Sequence, residues 1–507
     1  MRRLVTGKQM KEIDAHAIQE VGIPSMVLME RAALACAEEM KKELTRRGMS
    51  PEDVRVLVFA GTGNNGADGV AIGRMLHLWG YQVTIACLGN PAHRTEEMGA
   101  QLSIAEKLGI EVVLWDDFVP GTFDAAVDAL FGVGLSRDVE GSYAEAVAYL
   151  NRRKEGLVLS VDLPSGVDAE NGRVLGCAVR ADITVTFGYE KLGSVFYPGK
   201  ECAGRLIVAD IGFPSYEKVS GKHFLTGEEA DFSRIPPRKG DSHKGTYGKI
   251  LIAAGSEGMC GAAYFSALAA YRSGAGLVKI LTVRSNVPVL QNLLPEAIIT
   301  GYDPEQAEEE PEVFRKAVEE ACAWASVIVL GPGLGSGRYV EQLVRTILLA
   351  AYVPIVLDAD GLNAVAEYPY LADYFTENVI VTPHVGEMAR LTGLEPEDIK
   401  ADPVSAACMY SEEKGVICVL KDAVTVAARR DGDVFLGTSG CGAMAKGGSG
   451  DVLTGVIAGL LALDLPEDDA ACLGVWLHGR AGTAAAEKLG AHSVLATDIA
   501  NAIALSQ

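Results

Sequence analysis

Short runs of apolar and β-branched residues alternate with helix-length segments along most of this chain of 507 residues. Between Val54 and Phe213 the runs are VRVLVFA, YQVTIACLG, FDAAVDALFG, GLVLSVDLPSG, ADITVTFG and RLIVADIGFP. Strands separated by helices pair in parallel and are covered by helices on both faces. The sequence therefore predicts a doubly wound parallel sheet, flanked by one helix around Gly7 to Gln19 and another from Ser25 to Arg47.

The alternation stops in the segment 214–237 and restarts at GKILIAAGS. From Lys249 the strand candidates are KILIAAG, GLVKILTV, SVIVLGPG, PIVLDAD, NVIVTPH, VICVLKD and TVAARR, before a helical C-terminus. Domains usually hold about 100 to 250 residues, so two are expected. We predict an α/β protein with domains at 1–215 and 236–507, joined by a linker at 216–235.

Charge and cysteine content exclude several classes of partner. The net charge of −22 disfavours nucleic acid and anionic membranes as partners, because both select basic surfaces. The ten cysteines form no CxxC pair and the eight histidines no HExxH motif, so neither structural zinc nor disulfides are expected. No window holds the roughly 20 apolar residues of a membrane span, nor does Met1–Met10 begin a signal peptide. We expect a soluble, cytoplasmic protein.

A glycine-rich loop, GTGNNGADG at 61–69, follows the first predicted strand of the N-terminal half. It contains a GxGxxG pattern, but the next strand ends in CLGN without the acidic residue that a dinucleotide-binding dehydrogenase places there. Asn64, Asn65 and Asp68 stand beside glycine amides at a predicted helix N-terminus, where a phosphate and an ion can bind together. The alternative is a tight turn in which these side chains act only as caps.

Three further polar residues, Asp128, Asp162 and Ser165, follow two predicted strands of the same sheet. The carboxyl ends of parallel strands meet at one edge, where open α/β sheets bind their ligands. Two acids with oxygen-bearing neighbours there favour a hard cation or acid–base chemistry. Each residue taken alone could equally cap a turn.

The N-terminal half resembles the NAD(P)H-hydrate epimerase family in MKEIDAHAI, GIPSMVLMERAA, GTGNNGADG, DALFGVG, VDLPSGVDAENG and TVTFGYEKLG. The resemblance implies a Rossmann-like domain at 1–215 that interconverts the R and S hydrates of NADH and NADPH. It implies potassium ligands at Asn65, Asp128 and Ser165, and acid–base roles for Asp162 and Lys191. The implied substrate contacts are Asn64, Asn65, Gly66, Ala67, Asp68, Gly132, Val133, Gly134, Leu135, Ser136, Arg137, Asp138, Tyr143 and Asp162.

Two positions depart from that family's pattern, because Ala33 and Ala67 stand where glycine is usual. If position 67 required a positive φ, alanine would cost on the order of 1 kcal/mol and weaken epimerisation. The departures keep open a second interpretation, in which the N-terminal half is a non-catalytic nucleotide-binding or interaction module.

A second glycine-rich loop, AKGGSGDVLTGVIAGLLA, places Gly447, Gly448, Ser449 and Gly450 directly before Asp451 and a predicted helix. Exposed amides stabilise negative charge on a phosphoryl group, while the carboxylate can accept a proton from a hydroxyl. The alternative is a plain glycine-rich helix entry. A Walker-type ATPase is excluded because GxxxxGK[ST] is absent. The loop resembles that of ribokinase-like kinases, which makes a vitamin or sugar kinase with an accessory N-terminal domain the rival function.

Residues 236–507 as a whole resemble the ADP- or ATP-dependent NAD(P)H-hydrate dehydratase family in SHKGTYGKILIAAGS, GPGLG, DADGLN, TPHVGEMARL, LKDAVTVA, GGSGDVLTG and GVWLHGRAG. The resemblance implies a ribokinase-like fold, Mg²⁺, and ADP or, less favoured, ATP as co-substrate. Hydrate contacts are implied at Ala262, Gly333, His384 and Asp451. Nucleotide contacts are implied at Lys421, Asp422, Ala423, Val424, Thr425, Gly447, Gly448, Ser449 and Gly450.

In the reaction that this resemblance implies, Asp451 removes the hydroxyl proton of the S hydrate as the oxygen attacks the terminal phosphoryl group. Phosphate then leaves and NADH or NADPH is restored. Asp422 and Lys446 replace the glycine and threonine usual in the family, which puts nucleotide affinity in question. His384 also fits an ordinary turn residue. A homo-oligomer is expected by analogy with related folds.

Overall fold

The computed structural model describes residues 1–152 and 156–505. Arg3–Gly221 form one compact unit, and the described residues from Lys222 onward form a second unit with Met1–Arg2. Each unit is an α/β body with its own core. Among the described residues, no helix is both long and apolar enough to cross a membrane.

The first unit contains a seven-stranded sheet with the order β4-β3-β2-β5-β6-β7-β9, and every pairing in it is parallel. The strands are β1 (Arg2–Val5), β2 (Arg55–Ala60), β3 (Gln82–Cys87), β4 (Glu111–Leu114), β5 (Ala125–Ala129), β6 (Leu157–Val161), β7 (Ile183–Phe187), β8 (Glu190–Lys191) and β9 (Arg205–Ala209). The helices are α1 (Gly7–Ala15), α2 (Ser25–Arg46), α3 (Asn64–Leu78), α4 (Glu96–Lys107), α5 (Gly141–Asn151), α6 (Leu192–Val195) and α7 (Gly199–Ala203). The doubly wound parallel sheet is confirmed.

Strand β2 shows why its sequence is apolar from Val56 to Ala60, after the exposed Arg55. Val56 and Val58 pack into the core on one face of the sheet, and Leu57 and Phe59 pack into a separate core on the other face. Successive side chains of a strand point to opposite faces, so a strand covered on both sides is mostly apolar.

The opening helix differs from its predicted extent. It begins at Gly7 behind a capping box between Thr6 and Gln9 and ends at Ala15, and a π-helical turn then continues over His16–Glu20. Beside it, β1 pairs in parallel with the two-residue strand β8, with Val5 opposite Lys191. This pairing, which the sequence did not predict, fixes the position of Lys191.

The second unit has the strand order β13-β12-β11-β14-β15-β16-β17-β18-β19-β10, parallel except where β18 runs antiparallel to β17 and β19. The strands are β10 (Phe224–Thr226), β11 (Lys249–Ala253), β12 (Leu277–Val283), β13 (Ile298–Tyr302), β14 (Val327–Leu330), β15 (Ile355–Leu357), β16 (Val379–Val381), β17 (Ile417–Leu420), β18 (Thr425–Ala428) and β19 (Val434–Gly437). The segment proposed as a linker, 216–235, contains β10 and a 3-10 helix at Glu229–Arg234, and β10 pairs with β19. Its residues from 222 onward therefore belong to the second unit.

The helices of this unit are α8 (Cys260–Arg272), α9 (Val287–Leu293), α10 (Pro304–Glu309), α11 (Pro311–Trp324), α12 (Arg338–Ala350), α13 (Asp360–Glu367), α14 (Val385–Thr392), α15 (Pro396–Ala401), α16 (Pro403–Lys414), α17 (Ser449–Leu461), α18 (Glu467–Leu489) and α19 (Ala496–Asn501). Helix α17 lies against α8 without room for side chains between them. A Cβ added at Gly455 would stand 2.2 Å from the Ser266 carbonyl oxygen, and one added at Gly459 would stand 2.5 Å from the Ser273 Cβ. This close packing positions the N-terminus of α17.

Candidate functional sites

A cavity of about 530 Å³ opens at the carboxyl edge of the first unit's sheet. Among its lining residues are these predicted ones: Asn64, Asn65, Asp68, Gly132, Val133, Gly134, Leu135, Ser136, Arg137, Asp162 and Lys191. The predicted residues outside the lining are Gly66, Ala67, Asp138, Tyr143, Asp128 and Ser165. The sequence prediction missed Asp14 and Lys11, which also line the cavity. Both belong to the MKEIDAHAI motif, in which the sequence predicts no site residue.

The glycines of the first loop allow backbone segments to approach closely. A Cβ at Gly66 would stand 2.1 Å from the Gly61 carbonyl oxygen, and a Cβ at Gly61 would stand 2.2 Å from the Leu130 carbonyl oxygen. Ala67 is fully buried within α3, and positive φ among non-glycine residues occurs only at Asp162, Ala359 and Asp464 in the described chain. The strain considered for Ala67 is therefore absent. Alanine suits a helix interior better than glycine.

Asp162 and Lys191 form an ion pair inside the unit. Asp162 follows β6 in a left-handed conformation with φ of 66°, and its Oδ1 accepts from the Lys191 ammonium at 2.6 Å and from the Thr186 hydroxyl at 3.1 Å. The ammonium also donates to Thr186 Oγ1 at 3.0 Å and to the Phe187 carbonyl at 2.9 Å. Its three protons are thus used. Because the carboxylate's bonds within the described chain converge on Oδ1, Oδ2 is free for a ligand.

Two more carboxyl groups face this cavity. Burial raises the pKa of Asp68 well above its usual range, and the nearby Asp162 and Asp14 add to the shift. The pKa of Asp14 is raised by burial and then by Asp162, against the opposing effect of Lys191. Burial and the repulsion between these carboxyl groups therefore favour the protonated forms of Asp14 and Asp68.

Asp128 is fully buried and is not among the residues that line the cavity. Its carboxylate accepts from the Ser160 hydroxyl at 2.6 Å and from the Ser165 amide at 2.8 Å, and burial raises its pKa. In the part of the chain that the structure describes, no cationic side chain pairs with it. The Asn65 amide nitrogen is also buried without a partner, and its Oδ1 would stand 3.0 Å from a Cβ at Gly132. A buried carboxylate among neutral oxygens fits a monovalent cation.

In the second unit, Asp451 lies in the first turn of α17, directly after the glycine-rich loop. Gly448 caps this helix with φ of 91°, and a Cβ there would stand 2.6 Å from the Phe265 ring. Burial raises the pKa of Asp451 to about 6, Asp358 adds to the shift, and Lys421 opposes it. The arrangement places a carboxylate at a helix N-terminus, whose backbone amides attract anions.

Lys421 directs its side chain to the same place. It follows β17, its amide donates to the Pro383 carbonyl at 2.7 Å, and its ammonium donates to Asp358 Oδ1 at 2.5 Å. A Cβ at Gly450 would stand 3.3 Å from the ammonium nitrogen. Burial disfavours the charge, but Asp358 and Glu387 outweigh burial and raise the pKa of Lys421. The Lys421 ammonium therefore lies next to Gly450 of the glycine-rich loop.

Four further predicted nucleotide contacts are residues 422–425, of which 422–424 connect β17 to β18 and Thr425 begins β18. Asp422 and Ala423 are exposed, whereas the side chain of Val424 is buried in the core. Lys446 is exposed just before the second loop, and its ammonium donates to the His492 carbonyl at 3.3 Å. At position 424, in contrast to its exposed neighbours, only the backbone and not the side chain is available to a ligand.

Two of the predicted hydrate contacts meet, because a Cβ at Gly333 would stand 2.9 Å from the Ala262 Cβ. His384 caps α14, with Nδ1 accepting from the Gly386 amide at 2.9 Å. Glu387 completes the capping box by accepting from the His384 amide at 2.8 Å, and burial raises the pKa of Glu387 to about 7. His384 is therefore a helix cap, and its ring remains about half exposed.

The sequence prediction missed His478, on α18. Its Nε2 lies 3.3 Å from the Ser449 hydroxyl, and burial lowers its pKa to about 4. A neutral imidazole therefore holds one side chain of the glycine-rich loop. His478 belongs to the GVWLHGRAG motif. Its contact with Ser449 depends on the packing of α17 against α18, which the sequence does not show.

These two units define a two-site α/β enzyme, with one site suited to acid–base chemistry and the other to phosphoryl chemistry. Residues 25–193 match the family model described as YjeF-related protein N-terminus, and residues 250–505 match that described as NAD(P)H-hydrate dehydratase. The bifunctional NAD(P)H-hydrate repair enzyme of Moorella thermoacetica is 37% identical over 98% of this chain and 95% of its own length. That of Escherichia coli is 32% identical over 96% and 90%. The chain belongs to the family of bifunctional NAD(P)H-hydrate repair enzymes.

Solved structures resemble part of the chain. A ribokinase-like superfamily protein from Enterococcus faecalis is 28% identical, covers 57% of this chain and 96% of its own, and has a TM-score of 0.49. The ADP/ATP-dependent NAD(P)H-hydrate dehydratase from Bacillus subtilis, co-crystallised with ATP and Mg²⁺, is 33% identical over 54% and 94%, with a TM-score of 0.47.

Proposed function

We propose that this chain repairs hydrated NADH and NADPH. The N-terminal site, within residues 1–215, interconverts the R and S hydrates. The C-terminal site, within residues 236–507, dehydrates the S hydrate at the expense of ADP, or less favourably ATP. The observation that carries the proposal is the buried Asp451 beside the glycine-rich N-terminus of α17.

At the C-terminal site, Asp451 removes the hydroxyl proton of the S hydrate while that oxygen attacks the terminal phosphoryl group. With ADP, the nucleotide leaves as AMP. Phosphate then leaves with its carbon–oxygen bond electrons, the neighbouring ring carbon loses a proton, and the ring double bond is restored. A pKa of about 6 suits a general base near neutral pH. The loop amides and the Lys421 ammonium stabilise the charge of the transferring group.

Mg²⁺ is proposed to enter with the nucleotide. Within residues 1–152 and 156–505, no group of three or more acidic, histidine or cysteine side chains is arranged to hold a metal ion by itself. Mg²⁺ usually binds through substrate phosphates and one or two carboxylates, keeping several waters. When bound, it would neutralise phosphate charge. The protein's own contribution is the cluster of Asp358, Lys421 and Asp451.

At the N-terminal site, Asp162 is proposed to act as the acid–base group through its free Oδ2. Lys191 was expected to share that role, but its three protons are already donated, so we propose that it positions Asp162 instead. The loop at 64–68 and residues 132–137 would hold the phosphates of the hydrate. Asp128, Ser165 and Asn65 fit K⁺, whose charge would compensate the buried carboxylate.

A mixture of R and S NADPH hydrates tests both activities. The absorbance of the reduced nicotinamide is followed with K⁺, Mg²⁺ and either ADP or ATP, using the full chain and Asp451→Asn. Recovery beyond the S fraction and faster than spontaneous epimerisation supports both activities and identifies the donor. No recovery with either nucleotide removes the dehydratase proposal, and a phosphorylated alcohol that accumulates would favour the kinase. Light scattering on the same preparation tests the proposed homo-oligomer.

A further inference from the structure

Asp14 is an acidic residue of α1 that lines the N-terminal cavity together with Asp162 and Lys191. Most of its side chain is shielded from solvent, yet within the described ranges no hydrogen bond or ion pair engages its carboxyl group. A shielded carboxyl group without a protein partner is costly unless a ligand or a proton compensates it. Asp162, in contrast, is held by Lys191 and Thr186.

The chemistry of the hydrate calls for two such groups. The hydroxyl-bearing ring carbon is bonded to the ring nitrogen, whose lone pair can expel the hydroxyl group once that group is protonated. Inversion then requires water to attack the opposite face of the carbon and to lose a proton there. One carboxyl group cannot serve both faces without moving, whereas a protonated and an ionised carboxyl group on opposite sides can.

We propose that Asp14 is a second catalytic acid–base group of the N-terminal site, acting on the face of the bound hydrate ring opposite to Asp162. This inference rests on the proposed epimerase function. In one direction Asp14 donates its proton, the carbon–oxygen bond breaks, water departs and the nitrogen lone pair forms a carbon–nitrogen double bond. A second water then bonds to the carbon from the other face, Asp162 takes its proton, and the lone pair returns to nitrogen. The opposite epimer uses the two groups in exchanged roles.

Burial and the charges around Asp14 favour its protonated form. The Lys191 ammonium donates to Asp162 and its two neighbours, and none of its protons goes to Asp14. Burial and then Asp162 raise the pKa of Asp14, while Lys191 opposes them from a greater distance. Asp68 adds a further carboxyl group to the cluster, and its pKa is raised by burial and then by Asp162 and Asp14. The pKa shifts of Asp14 and Asp68 thus both favour the protonated form, which is the form that the proposed acid requires.

Asp14→Asn in the full chain tests the proposal, with Glu20→Gln as the matched control. Asparagine keeps the size of the side chain and breaks no hydrogen bond within the described protein. Glu20 lies in the adjoining π-helical turn with its side chain 70% exposed, outside the cavity. We expect Asp14→Asn to lower kcat for R-to-S conversion about 10²- to 10⁴-fold, the range for a general acid–base group. KM and dehydration of pure S hydrate should change less than about threefold, because the site and the phosphoryl chemistry stay intact.

Two further readouts separate catalysis from structure. Epimerisation in isotopically labelled water should introduce one solvent oxygen into the product for each inversion, because the original hydroxyl leaves as water. The kcat/KM of the wild type should fall on both sides of a pH optimum, since only the singly protonated pair works, and Asp14→Asn should lose this bell shape.

Three results would overturn the proposal: an unchanged rate in Asp14→Asn, retention of the original oxygen on inversion, or an equal loss in Glu20→Gln. Wild-type conversion no faster than the spontaneous reaction would instead refute the epimerase function itself. Wild-type activity therefore distinguishes failure of the proposed function from failure of the role of Asp14.

Discussion

Replacing Lys191 by methionine isolates the buried ion pair of the N-terminal site. The Lys191 side chain is 1% exposed and that of Asp162 is 10% exposed, and 2.6 Å separates their charged atoms. Methionine fills similar space but leaves the Asp162 carboxylate without its cation. Removing one partner of a buried pair costs about 3 to 5 kcal/mol, because the remaining charge is uncompensated. We therefore expect the first unit to lose roughly that much stability.

The double variant Lys191→Met with Asp162→Asn tests the reason for the loss. Asparagine tolerates the left-handed conformation at position 162 and carries no charge. Removing both charges of a buried pair is often close to neutral, so the double variant should be about 2 kcal/mol more stable than Lys191→Met alone. Lys107→Met, at an exposed position on α4, is the control and should stay within about 0.5 kcal/mol of the wild type.

Hydrogen exchange measured by mass spectrometry on the full chain reports this stability locally, in peptides that cover β6 and β7. A loss of about 3 to 5 kcal/mol raises the exchange of globally protected amides by about two to three and a half orders of magnitude. A loss below about 1 kcal/mol in Lys191→Met would refute the reasoning. So would strict additivity of the two substitutions, because it would show that the charges do not interact.

Three other substitutions test separate parts of the structure. Asp451→Asn should lower kcat for dehydration about 10²- to 10⁴-fold. In the wild type, kcat should fall as the pH drops through about 6, because the Asp451 carboxylate becomes protonated. A kcat independent of pH in that range would contradict the role of Asp451 as base. Gly66→Ala should lower the free energy of unfolding of the first unit by about 1 to 3 kcal/mol and reduce epimerisation, because the new Cβ would lie 2.1 Å from the Gly61 carbonyl oxygen. A melting temperature equal to that of the wild type would contradict this. Ala67→Gly should destabilise α3 by about 1 kcal/mol, measured by hydrogen exchange of its peptides, and a gain in stability would show that position 67 is strained after all.

Most strands of both sheets could be predicted from the sequence, because strands buried on both faces leave continuous apolar runs. Most of those missed lack this signature; the short apolar run VFLG of β19 is the exception. Strand β4 is an edge strand with exposed ends, β13 contains a glycine and exposed positions, and β8 has only two residues. Strand β10 was hidden in a segment rich in polar residues and proline, and its pairing partner β19 lies about 210 residues further along the chain.

The sequence by itself determined which polar groups stand at the ends of strands and which glycines precede the helices, because these are local patterns set by backbone geometry. It therefore predicted Asp162, Asp451 and both loops. Only the tertiary structure decided how side chains distant in sequence meet: that Lys191 gives all its protons to the surroundings of Asp162, and that Asp14 shares their cavity. The physical reason is that protonation and hydrogen bonding depend on distances of a few ångströms between separate elements. Folding sets those distances, and no spacing along the chain records them.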